Sequence, residues 1–180
     1  MMSEFVRREE EIGGKTLLIV GLGRIGQRLA RLAKAFDLRV IGTKRDPSTG
    51  PGAAAEVHGN DRLTALLPEA DIVALTCPLT PETENLIDAK AFAAMKPGAT
   101  LVNVARGNCV DEAALGAALE SGRLAAAALD CVRAEPLPAH SPLWHYGNVL
   151  ITPHSAGETR RYEDNVIDLL MENLGRLWRG

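Results

Sequence analysis

The stretch Leu17-Leu18-Ile19-Val20-Gly21-Leu22-Gly23-Arg24-Ile25-Gly26 carries the reading of the fold. Its apolar half lacks alternation, as a strand does when both of its faces are covered in a parallel sheet. It runs straight into Gly-x-Gly-x-x-Gly, and Gln27 to Phe36 then reads as a helix. The glycines have separate tasks. Gly21 permits a tight turn, Gly23 lets the backbone approach a pyrophosphate, and Gly26 lets helix and strand pack closely. The helix start offers unpaired N–H groups and a positive dipole end to phosphates. Glycine-rich turns are common, but a strand before and a helix after make this one a nucleotide site.

The chain has 180 residues, 46% hydrophobic and 24% charged, which suits one globular domain with a sizeable core. A net charge of −3 argues against a nucleic-acid surface, where a basic excess is expected. Cys77, Cys109 and Cys131 are odd in number and widely spaced, with no Cys-x-x-Cys pair. They read as buried free thiols in a reducing compartment, and no metal site is expected. No apolar run reaches transmembrane length and no signal-peptide pattern is present. The expectation is a cytoplasmic protein without membrane or nucleic-acid partners. Residues 1–13 read as a polar lead-in segment, and residues 14–180 as a single domain.

Downstream of the glycines, Leu29, Leu32, Ala33 and Phe36 form a helical stripe expected to face the core. Asp37 ends that helix at a position suited to left-handed geometry. Leu38 to Gly42 is the second strand. Dinucleotide folds that prefer NAD usually place an acidic residue at its end, to take the ribose hydroxyls. Thr43-Lys44-Arg45 stands there instead. A hydroxyl and two cations suit a 2′-phosphate, so NADP is expected to be preferred over NAD. An exposed basic turn gives the same pattern, and Asp46 is close enough in sequence to serve a ribose.

Residues 47–59 read as loop, with His58 a surface histidine lacking a partner. Further strands are expected at 71–75, 99–104, 124–130 and 149–152. Helices are expected at 62–67, 84–95, 111–121 and 158–178, the last with a stripe of Val166, Leu169, Leu170, Leu174 and Leu177. That stripe fits either a second copy of the chain or the domain's own sheet. The strand–helix alternation implies a Rossmann-type, doubly wound parallel α/β sheet. Right-handed crossovers then bring Arg106, Asp130, Glu135 and His154, each following a strand, to the edge that Gly21 to Gly26 occupies.

Histidine suits proton exchange near neutral pH, a carboxylate beside it favours the imidazolium, and an arginine grips a carboxylate with two parallel hydrogen bonds. With a nicotinamide, His154, Glu135 and Arg106 would be equipment for reducing a 2-oxo acid. Spacing alone equally allows an arginine bridge, a Glu-Pro turn and a capping histidine.

The chain resembles the coenzyme-binding domain of the D-isomer-specific 2-hydroxyacid dehydrogenases, which include glyoxylate/hydroxypyruvate reductases. The resemblance rests on Gly14-Lys15-Thr16-Leu17 before the glycines, residues 78–83 (Pro-Leu-Thr-Pro-Glu-Thr), Asn103-Val104-Ala105-Arg106-Gly107 with Val110-Asp111-Glu112, Leu129-Asp130 with Glu135-Pro136-Leu137-Pro138, and Thr152-Pro153-His154-Ser155-Ala156-Gly157. It implies that Arg106 binds the substrate's carboxylate and carbonyl, that His154 is the acid/base and that Glu135 is its partner. It places Arg24 and Ile25 at the pyrophosphate. Cys77, Pro78, Val104, Ala105, Arg106 and Asp130 would line the adenosine and nicotinamide ends, and His154, Ala156 and Gly157 would close over the nicotinamide. A 2-oxo or 2-hydroxy acid is the implied small-molecule partner, and a homodimer the implied assembly. Lys44 stands where NAD-preferring relatives have Asp, and Val132 where an aromatic residue is common. The family's separate substrate-binding domain is expected to be absent from this chain. A nucleotide-binding module without turnover is the alternative. A relation to adenosylhomocysteine hydrolases shares the fold but fits the trio poorly.

Overall fold

The computed structural model describes residues 11–179; most of the lead-in segment lies outside them. Seven strands form one parallel sheet in the order β3-β2-β1-β4-β5-β6-β7. They are β1 (Thr16–Val20), β2 (Arg39–Lys44), β3 (Glu56–Gly59), β4 (Ile72–Leu75), β5 (Ala99–Asn103), β6 (Leu124–Leu129) and β7 (Val149–Ile151). The helices are α1 (Arg24–Ala35), α2 (Leu63–Leu66), α3 (Ala89–Ala94), α4 (Glu112–Glu120) and α5 (Tyr162–Trp178). The doubly wound expectation holds. β1 is buried along its whole length, as its unalternating sequence requires.

Two cores flank the sheet. One gathers Leu18, Val20 and Leu101 with Leu66, Phe92 and Leu115 from α2, α3 and α4. The other packs Leu17, Ile19, Val40 and Ala74 against Ala30 and Ala33 of α1. Gly26 fixes which side of α1 meets the sheet. A Cβ there would lie 2.6 Å from the Gly21 carbonyl oxygen and 3.0 Å from Ile19. Gly26, Ala30 and Ala33 therefore form the buried side. Leu32 and Phe36, expected in the core, stand out at 54% and 61% exposure. They lie well round the helix from Gly26, and Leu29 alone of the larger apolar residues packs partly inward.

Three other expectations are corrected. The 47–59 stretch is not all loop, because residues 56–59 pair with β2 as the edge strand β3. His58 has a partner, its Nε2 lying 3.3 Å from Glu56 Oε2. The helix expected over 84–95 begins only at Ala89. Asn85 takes φ +48°, Ile87 bridges to Val110, and Asp88 caps the helix by accepting from Ala91 N–H. The short carboxylate cap and the left-handed asparagine outweigh helical periodicity. Asp37 does adopt φ +60°, as its position at the end of α1 predicts.

α5 begins four residues later than expected. None of its residues is buried, and Val166 and Leu170 are about half exposed, so its stripe does not rest on the domain's own sheet. Among the described residues no helix is long and apolar enough to cross a membrane.

Candidate functional site

All strands run parallel, so their C-terminal ends lie along one edge, where open α/β sheets bind ligands. The glycine turn occupies the middle of it. Gly21 takes φ +98°, and a Cβ on it would lie 2.6 Å from Cys77 N. Only glycine suits both conditions. Gly21 and Leu22 N–H both donate to the Thr43 carbonyl, at 3.1 and 2.7 Å, and the Thr76 hydroxyl donates to the Gly21 carbonyl at 2.8 Å. Gly23 differs. A Cβ there would meet nothing within 4 Å, so its surroundings are open towards the edge. No acceptor in the chain takes up the N–H groups of Arg24, Ile25 and Gly26. Together these make an empty cradle with donors at its floor, the chemistry a pyrophosphate requires.

A cleft of about 970 Å³ extends from this cradle. Gly21, Gly23, Thr43, Lys44, Arg45, Cys77 and Pro78 all line it, as do Asp61, Thr76 and Thr80, which the sequence reading did not single out. Nothing in the sequence sets Asp61 apart; only the loop after β3 brings it there. Thr43 is wholly buried, and its Oγ1 has no hydrogen-bond partner among the described residues. It is therefore not the exposed hydroxyl expected for a phosphate, although an unsatisfied buried oxygen in a cleft wall suits a polar ligand. Lys44 Nζ donates to the Gly50 carbonyl at 2.6 Å, and Arg45 is exposed. Asp46 turns away from the cleft, accepting from Ser48 N–H at 3.0 Å and Ser48 Oγ at 2.6 Å. These bonds hold its carboxyl below the ordinary carboxylate range.

Beyond β5, Asn103 shapes the turn that carries Arg106. Its Oδ1 accepts from Ala105 N–H and its Nδ2 donates to the Arg106 carbonyl, both at 3.0 Å. Ala105 is buried, whereas Val104 and Arg106 are exposed. The Arg106 guanidinium folds back onto the Ala105 carbonyl at 2.6 Å. Gly107 locks this turn to the next loop, because a Cβ on it would fall on the backbone carbonyl of Val132. Gly107→Ala is therefore expected to cost about 3 kcal/mol of stability, measured by urea unfolding, since neither backbone can yield cheaply.

His154 and Glu135 meet. Nδ1 lies 2.8 Å from Oε2, and Glu135 Oε1 accepts from Val132 N–H at 3.1 Å. The contact keeps the proton on Nδ1 and leaves Nε2 free to face a substrate. The hydrogen bond from His154 is the main reason the Glu135 carboxyl sits below its ordinary range, helped by Val132 N–H and by the charges of His154 and Arg106. His154 itself takes φ +56°, a left-handed backbone set by its N–H donating to the Thr152 carbonyl.

Asp130, only 7% exposed, organises the segment around His154. Oδ1 accepts from the Thr152 hydroxyl at 2.5 Å and Ser155 N–H at 3.0 Å, and Oδ2 from Ala156 N–H at 3.0 Å. Burial pushes its carboxyl up, but these donors and the charge of His154 outweigh it and hold it low. A lowered carboxyl stabilises the fold above the ordinary aspartate range, and the benefit fades as pH falls through the lowered value. Asp130→Asn is accordingly expected to cost about 2 kcal/mol near neutral pH. In urea unfolding the gap from the unsubstituted chain should shrink below about pH 4. A smaller hollow of about 260 Å³ lies beside this segment, lined by Val104, Asp130, Ser155 and Ala156 among others. Gly157 follows as an exposed residue.

Thus the structure joins His154 to Glu135, sets Arg106 near enough to act on Glu135, and places all three on the edge that holds the pyrophosphate cradle. Among the described residues, no cluster of three or more His, Cys, Asp or Glu is placed to hold a metal ion.

A parallel sheet with a glycine cradle at its switch point and a His–Glu pair along the same edge defines a dinucleotide-binding domain of the dehydrogenase type. The comparisons specify which. Residues 2–156 match the family model described as D-isomer specific 2-hydroxyacid dehydrogenase, NAD binding domain. The chain belongs to that family. It is 40% identical over 173 residues to D-3-phosphoglycerate dehydrogenase of Methanocaldococcus jannaschii, covering 94% of this chain and 32% of that enzyme. It is 42% identical over 168 residues to glyoxylate reductase of Aeropyrum pernix, covering 91% and 49%. The solved D-isomer specific 2-hydroxyacid dehydrogenase of Xanthobacter autotrophicus Py2, in complex with NADPH and MES, superimposes with a TM-score of 0.86 at 37% identity, covering 97% and 71%. The chain thus spans half or less of the length of these two curated relatives.

Proposed function

We propose that this chain is the coenzyme-binding, proton-transferring part of a reductase that converts a 2-oxo acid to the 2-hydroxy acid, with NADPH preferred over NADH. The observation that carries the reading is the His154–Glu135 contact at 2.8 Å on the edge that holds the glycine cradle. The names of the relatives, among them a glyoxylate reductase and a protein solved with NADPH, support it.

The cleft fits the cofactor. The N–H groups of Arg24, Ile25 and Gly26 would receive the pyrophosphate over Gly23, and Arg45 with Lys44 would meet a 2′-phosphate. Cys77 and Pro78 would flank the adenosine half. Val104, Ala105, Asp130, Ala156 and Gly157 would shape the nicotinamide end. A bound reduced nicotinamide supplies hydride. The residues of the chain do the rest. Arg106 swings from the Ala105 carbonyl to clamp the substrate carboxylate and polarise its carbonyl. His154 delivers a proton from Nε2 to the carbonyl oxygen, while Glu135 fixes the ring and stabilises the imidazolium.

Arg45→Ala is expected to weaken NADPH at least tenfold and leave NADH within a few-fold, in parallel titrations at one salt concentration, since a charge-assisted bond is worth about 1.5–3 kcal/mol. The exposed stripe of α5 supports a homodimer, because a helix of its length is marginal in water without a covering surface. Three buried free cysteines support a reducing, cytoplasmic compartment.

The test follows NADPH and NADH absorbance with glyoxylate, hydroxypyruvate and other 2-oxo acids. Turnover that Arg106→Ala abolishes would establish the reading. Tight NADPH binding without oxidation by any of these acids would contradict catalysis by this chain and leave a nucleotide-binding module.

A further inference from the structure

Two of the three cysteines form a pair that the proposed reaction does not use. Cys77 follows β4, its backbone packs against Gly21, and its side chain lines the large cleft. Cys109 follows the Arg106 turn, is fully buried and belongs to the same core cluster. Each thiol is the other's hydrogen-bond partner. The third, Cys131, donates instead to the Asn103 carbonyl at 3.7 Å.

We propose that Cys77 and Cys109 are an oxidative modification site: a hydroperoxide entering the cleft converts them to a disulfide, and the disulfide weakens cofactor binding. The chemistry suits a contacting thiol pair. Hydrogen bonding from Cys77 brings the Cys109 thiol down to about 7, so the pair loses its first proton in the neutral range. Hydrogen bonding and burial hold the second proton, raising Cys77. That proton is shared between the sulfurs. When it sits on Cys109, the thiolate is Cys77, the sulfur in the cleft wall. Its attack on a peroxide oxygen breaks the O–O bond and forms a sulfenic acid, and the departing hydroxide or alkoxide takes a proton from solvent. Cys109 sulfur then attacks the sulfenic sulfur, and the hydroxyl leaves with the Cys109 proton as water. Two thiols supply two electrons to one peroxide.

The consequence follows from position. A disulfide bond is about 2.05 Å long, much shorter than a thiol–thiol hydrogen bond. Forming it must shift the ends of β4 and of the Arg106 turn towards each other. Cys77 cannot move without Gly21, since no spare room separates them. The pyrophosphate cradle therefore deforms.

The experiment treats the 180-residue chain with hydrogen peroxide at neutral pH, maps disulfides by peptide mass spectrometry, and titrates NADPH before oxidation, after it, and after dithiothreitol. A Cys77–Cys109 disulfide with at least tenfold weaker NADPH binding, reversed by dithiothreitol, is expected. Cys131→Ser should keep the response. Cys109→Ser should form no disulfide and keep its NADPH affinity through the peroxide treatment. Absence of the Cys77–Cys109 disulfide in the unsubstituted chain, or its formation with unchanged affinity, would overturn the proposal. The affinity readout rests on the cofactor reading of the cleft, whose own failure shows separately as no NADPH binding by the reduced chain.

Discussion

Gly23→Val is expected to lower NADPH affinity at least a hundredfold, about 2.8 kcal/mol, while changing stability by no more than about 1 kcal/mol. The two glycines of the turn make this a sharp prediction. Gly23 has an ordinary negative φ of −86°, and a Cβ on it meets nothing within 4 Å. The only thing its side chain would displace is a ligand approaching the N–H groups of α1. Gly21, two residues earlier, needs its positive φ and its missing Cβ for the fold itself. Gly21→Val should therefore lose stability and binding together. Binding by calorimetry and stability by urea unfolding separate the two positions. Equal NADPH affinity in Gly23→Val and the unsubstituted chain would mean the cradle holds no pyrophosphate.

The second large effect concerns proton transfer. His154→Asn is expected to lower the rate of 2-oxo acid reduction by about 10²–10⁴-fold, the usual worth of a positioned acid, with NADPH affinity changed only a few-fold. Asparagine is the informative replacement because His154 sits at φ +56°, where asparagine is tolerated better than alanine. The backbone and the bonds from Ser155 and Ala156 to Asp130 should then persist. Glu135→Gln should lose less, since an amide still accepts from Nδ1 but no longer offsets the imidazolium charge. Steady-state kinetics with saturating NADPH measure both. An unchanged rate in His154→Asn would remove His154 from the mechanism.

Much of this site was legible in the sequence because it depends on chain order. In a parallel sheet every residue just past a strand arrives at one edge, so Arg106, Glu135 and His154 had to come close once the strands were recognised. The glycine spacing likewise reports backbone geometry directly. What could not be read depends on rotation and on local bonds. Leu32 and Phe36 have the spacing of a core stripe, yet close contact of Gly26 with the Gly21 carbonyl turns them outward. Residues 84–88 have helical composition, but their bonds to residues 108–111 hold them extended. β3 is short, and its four residues owe their form to pairing with β2. Thr43 was placed correctly in the cleft, whereas its burial and unsatisfied hydroxyl follow from packing that no local pattern encodes. The contact of Cys77 with Cys109 joins residues far apart in sequence, with no motif to announce it.

The central claim is that the strand-end edge of this chain is a dinucleotide site. Calorimetric titration of the unsubstituted chain with NADPH and with NADH tests it most directly. The account predicts one NADPH per chain, bound more tightly than NADH, with the heat largely lost in Gly23→Val. A folded chain that binds neither dinucleotide would contradict it.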